Sequence, residues 1–234
     1  MRRPTILRES MVATSHPLAT RAGVRAFDRG GNAVDAALAA AAMLCVAECG
    51  FTGIGGDAFA QVWFDGRLYG LNGSGRSPMK LDGETVERYG PRSVTVPGSV
   101  RAWGDLAERF GRLGLDGCLA DAIDAGERGI AATERVAVGW NATPRAPWPP
   151  PAQGDVYTLP DLAASLRAIA EGGANAFYRG RVAEQIAAAS WLSEDDLAQH
   201  EGEWVEPLRL AYRGIEVCEL PPNGQGAAAL IALA

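Results

Sequence analysis

A guanidinium that closes a strand among small, flexible residues is well placed to hold a carboxylate, because its two parallel N–H donors match the two carboxylate oxygens. Arg76 stands in that setting, in Asn72-Gly73-Ser74-Gly75-Arg76-Ser77-Pro78, and Ser74 adds a hydroxyl two residues earlier. Glycine-rich loops at strand ends are where ligand contacts concentrate on a rigid scaffold. The plainer alternative pairs Arg76 with an internal acid or turns it to water. A second loop, Pro221-Pro222-Asn223-Gly224-Gln225-Gly226, leads into an apolar stretch. Its amides either bind an anion at a helix start or only shape a stiff turn.

The remaining chemical signals are weaker. Gly53-Ile54-Gly55-Gly56-Asp57-Ala58 has the letters of a dinucleotide-binding fingerprint, but that fingerprint needs a strand before the glycines and a helix after them. Here a helical pattern precedes and a strand pattern follows, so close packing of a tight turn is the expectation. The two histidines are too few for a multi-imidazole metal site, and neither sits in a nucleophile-elbow sequence. His16, just ahead of a helix start, is expected to bond local backbone, and His200, between Gln199 and Glu201, to be solvated. Acidic residues are scattered, which leaves no paired-carboxylate or metal-carboxylate constellation. Cys45, Cys49, Cys118 and Cys218 lack a zinc-like spacing and read as buried free thiols in a reducing compartment. No metal and no cofactor is expected.

The elements that must position these residues are marked by their punctuation. Ser15 and Pro17 open a helix over 17–29, stopped by Gly30-Gly31, and Asn32 caps a second over 33–48 that is apolar nearly all round. Asp65-Gly66 joins strands 58–64 and 67–72 into a hairpin. The spacing predicts a short strand at 93–96 ended by Pro97-Gly98, then helices at 100–110, capped by Ser99, and at 119–127. Five prolines between 141 and 153 (Pro144, Pro147, Pro149, Pro150 and Pro151) predict a surface loop. Helices follow at 161–171, 181–189 and after Ser193, where Ser193 and Asp196 have capping-box spacing. Strands 208–212 and 215–220 flank Arg213-Gly214. The end, Ala227 to Ala234, is an apolar helix without a stop signal, so the chain is expected to be an incomplete piece.

Composition bounds the class. With 47% hydrophobic and 21% charged residues over 234, the chain reads as globular, with length for one domain or two small ones, and a net charge of -6 gives no attraction to nucleic acid or anionic membranes. The N-terminus lacks a signal-peptide core, and the longest apolar run, 36–47, is about half of the roughly 20 residues a membrane helix needs. A cytoplasmic location is the default.

Three strings carry a family likeness: Met11-Val12-Ala13-Thr14-Ser15-His16-Pro17-Leu18-Ala19, Gly30-Gly31-Asn32-Ala33-Val34-Asp35-Ala36-Ala37 and Gly53-Ile54-Gly55-Gly56. Val96-Pro97-Gly98-Ser99-Val100 with Ala102-Trp103, then Asp196-Leu197-Ala198, Tyr212-Arg213-Gly214 and the 221–226 turn continue it in order. Together they resemble the γ-glutamyltransferases and their acylase-like relatives over nearly the whole chain. The resemblance implies an α/β fold, the αββα sandwich of N-terminal-nucleophile hydrolases, present here incomplete as the front of a large subunit over residues 1–234. It implies a precursor that cuts itself, and a small-subunit segment whose first threonine is the nucleophile and is absent from this chain. It implies a small amide substrate, γ-glutamyl or a related acyl compound. Typical members carry a carboxylate-gripping arginine where this chain has Ser74, so Arg76 and Ser74 are the substrate-binding candidates, and the loop looks more like the acylase branch. The alternative is a stand-alone binding protein of large-subunit shape without chemistry.

Overall fold

In a computed structural model the described residues are 9–81, 85–141 and 149–234, with Asn141 described by its backbone alone. Pro144 and Pro147 of the expected loop lie outside them. In chain order the elements are α1 (Pro17–Asp28), α2 (Ala33–Ala47), β1 (Ala58–Phe64), β2 (Arg67–Gly73), α3 (Ser99–Phe110), α4 (Gly114–Arg128), β3 (Ile130–Ala131) and α5 (Glu134–Asn141). There follow β4 (Val156–Tyr157), α6 (Pro160–Gly172), α7 (Asn175–Tyr178), α8 (Arg181–Ala189), α9 (Glu194–Ala198), β5 (Glu203–Val205), β6 (Leu208–Tyr212), β7 (Ile215–Glu219) and α10 (Gly226–Leu233). They form two compact units, one of residues 1–53 with 106–173, the other of residues 54–105 with 174–234.

The first unit is helical. Asn32 caps α2 through its side-chain oxygen while Asp35 reaches back to the Asn32 amide, the reciprocal box that satisfies two orphan donors at a helix start. Ala19, Ala22 and Ala26 of α1 meet Ala36, Ala39 and Ala40 of α2, and the small side chains bring the two backbones close. Gly23 is part of that contact, since a Cβ there would stand 2.9 Å from the Ala36 carbonyl oxygen. α4 packs on α2, and α6 on α4. The β3–β4 pair sets Tyr157 opposite Ile130, and its hydroxyl donates to the Val46 carbonyl at 2.8 Å.

The second unit contains the hairpin. β1 and β2 pair from Phe64–Arg67 to Ala58–Gly73, and Asp65 and Gly66 have φ of 48° and 76°, the left-handed geometry a two-residue hairpin turn needs. β5 adds to the other edge of β2, with Glu203 opposite Asn72. β6 and β7 form a separate hairpin turned by Arg213 and Gly214 at φ 49° and 82°. Buried Leu71, Val96, Val100, Phe177, Tyr178 and Leu197 make the unit's core.

Differences from the sequence expectation have local causes. Residues 93–96 form no strand. The Val96 amide donates to the Arg76 carbonyl at 2.9 Å, but Pro78 and Pro97 have no N–H with which to extend a ladder. α3 begins at Ser99 itself, and the Ser99 hydroxyl donates to the Ile54 carbonyl at 3.1 Å instead of capping. Among the described residues no helix is long and apolar enough to cross a membrane.

Candidate functional site

The end of β2 builds one wall of a cleft of about 430 Å³, lined among others by Asn72, Ser74, Arg76, Glu201, Glu203 and Asn223. Asn72 Oδ1 accepts from the Ser74 amide at 3.1 Å, and its Nδ2 donates to Asn223 Oδ1 at 3.0 Å. The Ser74 hydroxyl lies 3.1 Å from Asn223 Oδ1 and 2.9 Å from Asn223 Nδ2. The Gly75 amide donates to Asp57 at 3.0 Å, and a Cβ at Gly75 would collide with the Val96 carbonyl. The backbone beneath Arg76 is therefore gripped from both sides. The Arg76 side chain is exposed and makes no hydrogen bond or ion pair among the described residues.

Glu201 and Glu203 arrive through β5, whose register sets Glu203 opposite Asn72. One exposed guanidinium, two exposed carboxylates, a hydroxyl and two amides suit a small molecule that carries a carboxylate and a cationic or amide group. The residues lining this cleft include no histidine, cysteine or threonine. Both sequence candidates, Arg76 and Ser74, line it, as does Asn223 of the second loop. The two glutamates were not legible, because the three residues of β5 become a strand only by pairing with β2.

Gly53 and Gly55 are not close-packed: a Cβ on either would meet no atom within 4 Å. The tight packing is instead at Gly75 and at Gly98, where a Cβ would strike the Gly73 carbonyl. His200 is also unlike its expectation. It is 4% exposed, with its ring 5.5 Å from that of Tyr178, so it is buried despite its polar neighbours. Burial holds its pKa below the ordinary histidine value, helped by the Arg101 and Arg76 cations and opposed by Asp57 and Glu201.

In the first unit His16 caps α1, accepting the Leu18 amide on Nδ1 at 3.2 Å. Burial lowers its pKa against the raising influence of Glu48, whose carboxylate accepts from the Ser15 hydroxyl at 3.0 Å. Asp35, fully buried, accepts amides of Asn32, Arg112 and Leu113 at 2.8 to 3.1 Å. Burial pushes its carboxyl up, and those bonds with the Cys118 thiol outweigh it, holding the pKa below the usual carboxylate range. Among the described residues no cluster of three or more His, Cys, Asp or Glu could hold a metal.

Solved structures share this fold. Cephalosporin acylase from Bacillus halodurans superposes with a TM-score of 0.90 and 41% identity over 99% of this chain and 51% of its own. Gamma-glutamyltranspeptidase from Pseudomonas nitroreducens, solved with L-DON, gives 0.86 and 27% over 96% and 75%. The fold is that of the N-terminal-nucleophile hydrolases, in its acylase-like branch. The gamma-glutamyltranspeptidase sequence pattern matches residues 19–234, and the chain belongs to that family. The glutathione hydrolase-like YwrD proenzyme of Bacillus subtilis is 34% identical over all of this chain and 50% of its own length. The ACY 1 acylase proenzyme of a Pseudomonas strain is 32% identical over 94% and 46%. The chain thus spans about half the length of these curated relatives.

Proposed function

We propose that this chain is the large-subunit portion of an amide hydrolase or acyl transferase that takes a γ-glutamyl or related acyl compound. Arg76 grips the substrate carboxylate through paired N–H donors, and Ser74 adds a contact through its hydroxyl or by fixing Asn223. The observation that carries this reading is an arginine without an acid partner, held on a rigid loop over a polar cleft. The attacking group is the hydroxyl of a threonine that opens a companion segment. Its own α-amine takes the proton, the amide C–N bond breaks, the freed amine leaves protonated, and water or an amino acid then cleaves the acyl ester. On this reading residues 1–234 are one incomplete domain that is inactive alone.

The companion is supported by two observations. Relatives of about twice the length are named proenzymes, and β1 exposes Phe59 and Trp63, which share one face of the strand, at 48% and 67%. We read the protein as cytoplasmic, with neither nucleic acid nor membrane as partner and no cofactor. The displaced arginine, at 76 with Ser74 before it, favours acyl groups of the acylase branch. In the enzyme carrying its companion segment, Arg76→Ala should raise KM for a γ-glutamyl anilide about 10- to 100-fold, the loss of charge-assisted hydrogen bonds at about 1.5–3 kcal/mol. An unchanged KM removes Arg76 from the site.

A further inference from the structure

Arg21, Arg25 and the C-cap Arg29 follow at four-residue steps along α1 and so share one face of it. On α4 the same step runs from Gly117 through Asp121 to Ala125. A ladder of charge joins the two helices. Arg29 donates to the Gly117 carbonyl at 3.1 Å and to Asp121 at 2.9 Å, and Arg25 pairs with the same carboxylate at 2.9 Å. One step further the ladder reaches Arg21 on α1 and Ala125 on α4, and an alanine has no charge to give. Both residues line a cavity of about 200 Å³ within the first unit.

The acids in the wall of that cavity are already engaged. Asp121 holds two guanidiniums, and Asp124 takes Arg128 Nε at 2.7 Å. Arg21 is exposed and makes no hydrogen bond or ion pair among the described residues. It stands four residues from Arg25, a spacing at which like charges on a helix repel. The wall thus carries three arginines against two aspartates, in a chain whose net charge is -6. Behind these charges the lining is apolar, with Ala22 and Met43 buried and Leu18 and Ile130 half-buried. On an open surface water screens a guanidinium and its pairs are weak, whereas an apolar body seated beside it displaces that water and strengthens the pair.

We propose that this groove between α1 and α4 is a binding site for a small organic carboxylate. The anion completes the ladder at Arg21, and the apolar body lies on Met43 and Ile130. One unpaired guanidinium balances one negative charge, which suits a carboxylate better than a doubly charged phosphate. The cavity is smaller than the roughly 300–1,000 Å³ of drug-sized pockets, so the body is a single ring or a short branched chain. The site shares no residue with the cleft of Arg76 and does not depend on the function proposed for that cleft.

The test uses the enzyme with its companion segment in an Arg76→Ala background, so that the other cleft offers the probe no guanidinium. The probe is 4-fluorobenzoate followed by ¹⁹F NMR, and it should bind with a Kd at or below about 1 mM. Adding Arg21→Ala should weaken it about tenfold or more, through loss of a charge-assisted contact. Ala125→Glu supplies the missing acid to Arg21 and should weaken the probe as much without lowering Tm. The uncharged 4-fluorobenzamide and the ringless acetate should each bind at least about tenfold more weakly than the probe. No binding up to about 10 mM, or equal binding of the benzamide, overturns the proposal. So does an Arg21→Ala variant that binds as its parent does, or displacement of the probe by an equal concentration of inorganic phosphate. If Ala125→Glu fails to fold, Arg21→Ala, a change at an exposed side chain, decides alone.

Discussion

Replacing Asp35 should be the most damaging single change to the first unit. The carboxylate is fully buried and takes three backbone donors, the amides of Asn32, Arg112 and Leu113. Asp35→Ala strands all three at about 1–3 kcal/mol each, and partial entry of water brings the expected loss to about 3–5 kcal/mol. For a chain of this length that lowers Tm by about 6–20 °C, readable by calorimetry or by circular dichroism. Asp35→Asn keeps the shape and one acceptor oxygen but turns an NH₂ toward a donor, so it should lose about half as much. The pH dependence has a definite sign. The folded pKa lies below the unfolded value near 3.9, so the stabilisation is present above about pH 4 and is lost as pH falls through the folded value. Acidification below pH 4 should therefore destabilise the parent protein more than Asp35→Asn. A variant Asp35→Ala that unfolds within about 1 kcal/mol of the parent would refute the reasoning.

Two further outcomes are expected. Gly75→Ala forces a Cβ into the Val96 carbonyl and should cost about 1–3 kcal/mol by overpacking, with weakened ligand binding as the loop under Arg76 shifts; denaturant titration and KM measure the two parts. Burial pushes the thiols of Cys45 and Cys118 up to about 12, so both should resist iodoacetamide at pH 8 in the native protein and react once it is unfolded, as peptide mass spectrometry would show.

What could be read in advance was whatever depends on near neighbours in sequence. Asn32, Ser193, Asp65-Gly66 and Arg213-Gly214 act within four residues, and α2, α9 and both hairpins begin and turn where those residues put them. The loop of Ser74 and Arg76, which lines the cleft, was recognisable as a strand end for the same reason. Asp35 was half legible: Asn32 and Asp35 have the same cap spacing as Ser193 and Asp196, but Arg112 and Leu113 lie more than seventy residues away. α7 has only four residues and β5 three, too short for any periodic signal. His200 misled because Gln199 and Glu201 are polar, whereas its burial is decided by Tyr178, which precedes it by twenty-two residues and comes from α7.

On the function proposed above, Arg76 and the serine before it are best understood as one adjustment. At position 74 the side chain points at Asn223, within 3.1 Å of both its amide atoms, while the Ser74 amide is tied to Asn72. A long guanidinium side chain placed there would have to displace Asn223 and leave the Asn72 amide without its partner. With a serine at 74 the polar cluster closes on itself, and the charge that a carboxylate ligand needs must come from elsewhere on the same loop. Position 76 meets that need, because Asp57 and Val96 hold the backbone on either side of it and the side chain stays unpaired. On the function proposed above, the carboxylate grip is kept in kind and shifted in position along the loop, with the chemistry left to a companion segment.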